Sequence, residues 1–311
     1  MPSTPAAACR LFAILAREAP VGVIFRRGPS KWTQIIKWNT DSDTFEFGAW
    51  FRGQIYPERS DLSPDGTKLI YFATDYTYSE NNKDSEFPTV WTAISKVPWL
   101  TALCAWPNGD THYGGGLFDT DTKVWVNQDF WHHGDLADGP VLPQDVEISY
   151  DHPFWDHDWH SLFRLERSGW KPIQAYPWGS IPLLRRQPDD SVTVEPTNPN
   201  CPLHTPAYIR TVHERSHETN SHSLIMTSIY SHDSPNSRTF DLKDNGRQTV
   251  SPIEGAIWAD WDKQGRLVYA KEGKLFTADI MWSSGIRAQE LVEFNSSKPK
   301  RTKSPKWARE W

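Results

Sequence analysis

The sequence predicts an all-β chain, a β-propeller of six or seven four-stranded blades. Three observations predict it: short apolar bursts, dense turn residues and a hairpin unit that recurs. The bursts lack the long 3.6-residue periodicity of helices, which is the pattern expected of strands. They are broken by 24 Pro and 18 Gly in 311 residues, so the chain changes direction often. Hydrophobic residues make up only 38%, but 17 of them are Trp, so a sizeable core is built from a few bulky side chains.

The clearest unit is Ser60 to Asp75, SDLSPDGTKLIYFATD, where Pro64, Asp65 and Gly66 form a turn leading into Leu69, Ile70, Tyr71 and Phe72. A second copy runs from Trp258 to Ile280, with Gln264-Gly265 at the turn and Leu267, Val268 and Tyr269 after it. A further turn at Glu272-Gly273 leads back through Leu275 and Phe276, so the unit is an antiparallel hairpin. Each copy follows another hairpin with a polar tip, Ile35 to Phe47 before the first and Thr239 to Val250 before the second. Looser matches are Gly116 to Asn127 and Phe163 to Ile173, the latter followed by a Pro188-Asp189-Asp190 turn. Gly66 and Gly109 are 43 positions apart, about one propeller repeat. Ser63-Pro64-Asp65-Gly66 before a bulky apolar strand resembles the blade signature of TolB-type and related bacterial propellers. The Trp258–Ile280 copy departs from it at Gln264. The resemblance implies a fold and brings no catalytic residue with it.

The predicted organisation is a flexible N-terminus over 1–9, one propeller domain over 10–295 and a basic, disordered tail over 296–311. The tail gathers Lys298, Lys300, Arg301, Lys303, Lys306 and Arg309 around Pro299 and Pro305. It reads as solvated chain or as a docking segment for an acidic partner. Pro196, Pro199, Pro202 and Pro206 mark a long surface loop between blades or, in a two-domain alternative, a linker. A net charge of −6 and a pI near 6.0 argue against nucleic acid as the main ligand. Cys9, Cys104 and Cys201 form no paired framework, and Arg10 interrupts the apolar stretch from Ala6 to Ala16. No run is long enough to span a bilayer. The expectation is a cytoplasmic protein without membrane contact.

His213-Glu214-Arg215-Ser216-His217 matches H-E-x-x-H, the motif in which two His ligate zinc and the Glu activates water. That chemistry needs a helix, which sets positions i and i+4 on one face. Tyr208, Ile209, Thr211 and Val212 instead predict a strand, where i and i+4 lie ~13 Å apart. The metzincin extension also fails, since Asn220 and Ser223 stand where its Gly and third His belong.

A second concentration runs from Asp129 to His160. Its candidate binding residues are His132, His133, Trp155, Asp156, His157, Asp158 and His160. In an extended chain Asp156, Asp158 and His160 share a face, as a metal or polar-ligand site where blade loops converge. The alternative is an exposed insertion whose polar groups meet water and cap turns. Trp131, Trp155 and Trp159 beside these carboxylates suggest sugar stacking, whereas Trp38, Trp91, Trp125 and Trp258 fit strand cores. Phosphate-loop, nucleophile-elbow and dinucleotide signatures are absent from the sequence. The expected function is therefore a non-enzymatic scaffold presenting loops to a protein partner, with no cofactor. The alternatives are a zinc- or calcium-dependent hydrolase and a carbohydrate-binding or carbohydrate-cleaving propeller.

Overall fold

The computed structural model describes residues 7–28, 31–75, 89–128, 134, 136–137, 142–150, 159–175, 183–186, 192–195, 208–231, 237–281 and 285–311. They form two compact units, Met1–Ser168 with Gly255–Trp311, and Gly169–Glu254.

The first unit opens with β1 (Arg10–Leu15), β2 (Val21–Arg27), β3 (Trp32–Asn39) and β4 (Thr44–Arg52), four antiparallel strands in chain order. A second such sheet follows, β5 (Gln54–Leu62), β6 (Lys68–Thr74), β7 (Val90–Lys96) and β8 (Ala102–Pro107). The third, β9 (Gly116–Phe118), β10 (Lys123–Val126) and β11 (Glu147–Ser149), departs from the expected meander because β11 pairs with β10 in parallel. Helix α1 (Trp159–Arg167) comes next.

The second unit holds β12 (Lys171–Ala175), the hairpin β13 (Leu183–Arg186) with β14 (Val192–Glu195), and β15 (Tyr208–Ser216), β16 (His222–Ser231), β17 (Ser237–Asp244) and β18 (Thr249–Pro252). Its main sheet has the order β12-β15-β16-β17-β18 and is antiparallel throughout. Trp170, Val212, Leu224, Met226, Phe240 and Leu242 are buried in this unit. The chain then returns to the first unit as β19 (Trp258–Trp261), β20 (Leu267–Lys271), β21 (Lys274–Met281) and β22 (Gly285–Glu293), again four antiparallel strands in chain order.

Strand alternation explains why these sheets stack. On β2, Val23 and Phe25 pack toward the second sheet with Leu62, Leu69 and Tyr71, while Ile24 packs toward the last with Trp258 and Val268. On β6, Leu69 and Tyr71 face the first sheet, and Ile70 faces Phe118 and Val124 of the third. A strand covered on both faces needs apolar residues at successive positions, which is what Leu69 to Phe72 supply. The last sheet thus lies on the first. Arg266 fastens the two by donating to Asp43 Oδ2 at 2.8 Å and to the Thr40 carbonyl at 2.7 Å, while Asp262 holds its Nε at 2.7 Å.

The two turn units read from sequence share one geometry. Gly66 N donates to Ser63 O at 2.9 Å and Gly265 N to Asp262 O at 2.9 Å. Both glycines have positive φ, 73° and 76°, which other residues rarely adopt. The hairpins expected at Ile35 to Phe47 and Thr239 to Val250 are β3–β4 and β17–β18.

One expectation is corrected here. Phe163 to Arg167 belongs to α1 and is not a hairpin, because Leu162, Arg164, Leu165, Glu166 and Arg167 are good helix formers with no β-branched residue, Gly or Pro among them. The tail over 296–311 packs on the first unit: Ala308 is buried in a short 3-10 helix (Lys306–Arg309), and Trp311 lies against the Trp106 cluster. Trp311 is the signal that its charge obscured.

Candidate functional site: an aromatic and basic cleft

In the first unit a cleft of about 730 Å³ opens between the end of β4, the turn after β7 and the C-terminal segment. Trp50 and Phe51 come from β4, Trp99 and Leu100 from the turn, and Arg301, Lys303, Ser304 and Arg309 from the C-terminus. The aromatic wall is held from behind. Trp50 meets Trp32 edge to face at 6.4 Å and lies under the Arg26 guanidinium at 5.0 Å, and Phe51 meets Trp91 edge to face at 5.8 Å. Arg26 is 1% exposed and is fixed by the Phe294 and Ser297 carbonyls. The turn is fixed in turn: Trp99 N donates to Lys96 O, and Tyr71 Oη donates to Leu100 O.

The basic wall is anchored at Ser304, whose hydroxyl meets Thr101 Oγ1 at 2.8 Å and whose carbonyl accepts from the Arg309 guanidinium. Lys96 Nζ also holds the Trp307 carbonyl at 3.2 Å. Arg301 and Lys303 are exposed, and among the described residues none that lines the cleft is acidic. Trp99 is 8% exposed, and its Nε1 has no hydrogen-bond acceptor among the described residues. An apolar wall and exposed cations on the rim suit a ligand with a bulky apolar group and negative charge.

Of the residues singled out from sequence, His132, His133, Trp155, Asp156, His157 and Asp158 lie outside the described residues. The backbone of His160 belongs to the first turn of α1, so the extended arrangement expected over Asp156 to His160 does not continue through it. The reason is the same helix-forming run that moved Phe163 to Arg167 out of a hairpin.

The H-E-x-x-H residues sit on β15 and the turn beyond it, as the β-branched approach to them predicts. Glu214 pairs with Lys243 at 3.0 Å, and His217 Nδ1 caps the turn by accepting from Thr219 N at 3.0 Å and Asn220 N at 3.2 Å. On extended backbone His213 and His217 are ~13 Å apart, beyond the reach of one metal ion. Among the described residues no group of three metal-ligating side chains forms.

His213 has a different consequence. It is 6% exposed, its Nδ1 has no partner among the described residues, and burial, aided by Arg238, pushes its pKa down to about 4. A neutral buried imidazole takes up less proton than an unfolded one between about pH 6.5 and 4, so stability falls as pH falls through that window. Urea midpoints are expected to fall on acidification by the equivalent of roughly 2–3 kcal/mol, and the contribution disappears in His213→Gln. A pH profile unchanged by His213→Gln would contradict the assignment.

Trp38, Trp91 and Trp258 are buried as expected, whereas Trp125 is half-buried with Lys123 Nζ 5.9 Å above its ring. Among the described residues no helix is long and apolar enough to cross a membrane.

The described residues form a mostly β protein in which four-stranded antiparallel sheets recur. No family model and no curated protein matches the chain. Three solved structures are similar to it over most of its length. The β-propeller domain of the Trilobed protease from Pyrococcus furiosus is 11% identical, covering 91% of this chain and 84% of that one, with a TM-score of 0.32. An endo-arabinase from Bacteroides thetaiotaomicron is 11% identical, covering 96% and 98%, with a TM-score of 0.31. The AtxE2 isopeptidase, an S527A variant with Astexin3-dC4 bound, is 9% identical, covering 94% and 54%, with a TM-score of 0.30. At such scores the chain's own residues have to carry its functional reading.

Proposed function

We propose that the chain is a β-propeller whose four-stranded sheets are its blades, and that it acts as a non-enzymatic platform for a protein partner. The partner places an acidic segment with a bulky apolar or aromatic residue in the cleft. The observation that carries this reading is the pairing of the Trp50, Phe51 and Trp99 wall with a rim formed by Arg301 and Lys303, unopposed by any acidic lining residue. Aromatic anchors give affinity, and rim charges give selectivity and a faster encounter. The net charge of −6 repels a long polyanion, whereas a short acidic segment meets only the local basic rim. The reading needs no metal or cofactor.

Selection of random peptides on the purified chain tests it. Acidic sequences with an aromatic or large aliphatic residue are expected, and Arg301→Glu combined with Lys303→Glu weakens them roughly tenfold, an effect of about 1–2 kcal/mol. Trp50→Ala is expected to weaken them at least as much, because it removes the anchor wall. Peptides without acidic bias, binding untouched by these changes, or preference for a single-stranded oligonucleotide would each count against the proposal.

A further inference from the structure

A separate group of charges lies where the first strands of three sheets end. Glu18 N, beyond β1, donates to Pro64 O beyond β5, and Phe118 N on β9 donates to the Asp61 carboxylate at 2.8 Å. Three guanidiniums meet around this junction. Arg164 and Arg167 are one turn apart on α1 and so share a face. Arg164 is 7% exposed and donates to the Pro57 and Ser60 carbonyls, and Arg167 grips both Asp61 oxygens at 2.8 Å. Arg17 donates to the Phe118 and Asp119 carbonyls at 2.8 Å.

The Phe118 carbonyl accepts from both Arg17 and Arg167, at 2.8 and 2.6 Å, so two like charges meet on one neutral oxygen. Asp61 is the one buried carboxylate at the junction among the described residues, and Arg167 Nη2 alone donates to both its oxygens. Of the other acids near Arg17, Glu18 is exposed and Asp119 pairs with Lys123 at 3.4 Å. Arg17 Nε and Arg167 Nε are both buried without an acceptor among the described residues. Burial, and after it the neighbouring Arg167, lower the pKa of Arg17 against the opposing pull of Asp61, Glu18 and Asp119.

We infer that Arg17 and Arg167 form a binding site for a small oxyanion, a phosphate or carboxylate group, at the ends of β1, β5 and β9. An oxyanion supplies both the charge and the in-plane acceptors that guanidinium forks match. The site stands apart from the cleft and does not depend on the partner reading.

Thermal unfolding of the full chain in rising inorganic phosphate, with ionic strength held constant by sodium chloride, tests the inference. A saturating rise in Tm is expected for the wild-type chain, as for any ligand that binds only the folded state, and Arg17→Gln loses most of it. The general stabilising action of phosphate appears equally in both proteins and cancels in their difference. Succinate in a parallel titration separates a tetrahedral anion from a carboxylate as the preferred ligand. Because Arg17 also braces Phe118, Arg17→Lys provides a second variant that keeps the charge but loses the fork. Its phosphate dissociation constant is expected to rise several-fold. Equal shifts in wild type and Arg17→Gln, or an unchanged constant in Arg17→Lys, would overturn the inference.

Discussion

Trp38→Ala is expected to lower the free energy of unfolding by about 3–5 kcal/mol, the range for deleting a large buried aromatic side chain. Trp38 is 0% exposed and belongs to the cluster joining the first sheet to the last, with Trp258, Val268, Leu275 and Phe294. It stacks on Phe45 at 6.1 Å, and its Nε1 donates to Asp43 Oδ1 at 3.1 Å. The substitution therefore opens a cavity between two sheets far apart in sequence and removes a donor from the carboxylate that Arg266 also holds. Urea unfolding should show a lower midpoint with an unchanged slope. A loss below about 1 kcal/mol, the range of tolerated surface changes, would mean that the first and last sheets do not pack together.

Asp61→Ala should cost a similar amount, about 3–5 kcal/mol, because removing one member of a buried ion pair strands the other. The Asp61 side chain is 2% exposed and that of Arg167 22%, so solvent screens the pair little. Phe118 N loses its acceptor in the same change, which loosens β9 as well as α1. Asp61→Asn keeps an acceptor of the same shape and is expected to lose less than Asp61→Ala. Equal losses from the two would assign the effect to lost charge, without a contribution from the Phe118 hydrogen bond. Measurement by the same urea titration places both on one scale.

Much of the sheet architecture is legible in the sequence because local chemistry dictates it. Ser63 and Asp262 cap their turns with side-chain oxygens, Ser63 Oγ accepting from Lys68 N and Asp262 Oδ1 from Arg266 N. The glycine three positions on, Gly66 or Gly265, then takes the positive φ. These signals lie within a few residues and need no tertiary context. The strand around His213 is legible for the same reason, from the β-branched residues before it.

The missed features depend on distant residues. Helix α1 is short and carries the buried Arg164, so its fixed position depends on the carbonyls of Pro57 and Ser60, which no local pattern near residue 164 announces. The parallel pairing of β11 is likewise a tertiary choice. The cleft draws on three stretches centred near residues 50, 100 and 303. Trp50 and Trp38 sit in adjacent strands with similar surroundings in sequence, yet Trp38 fills the core and Trp50 lines an opening. In the tail, charge dominates composition, while Ala308 and Trp311 supply the contacts that hold it down.

Backbone hydrogen exchange of the full chain, with and without a selected acidic peptide, tests the platform reading most directly. Slower exchange is expected at 49–51, 99–101 and 301–304, the three stretches that line the cleft. Protection confined to other segments, or no protection at saturating peptide, would contradict it.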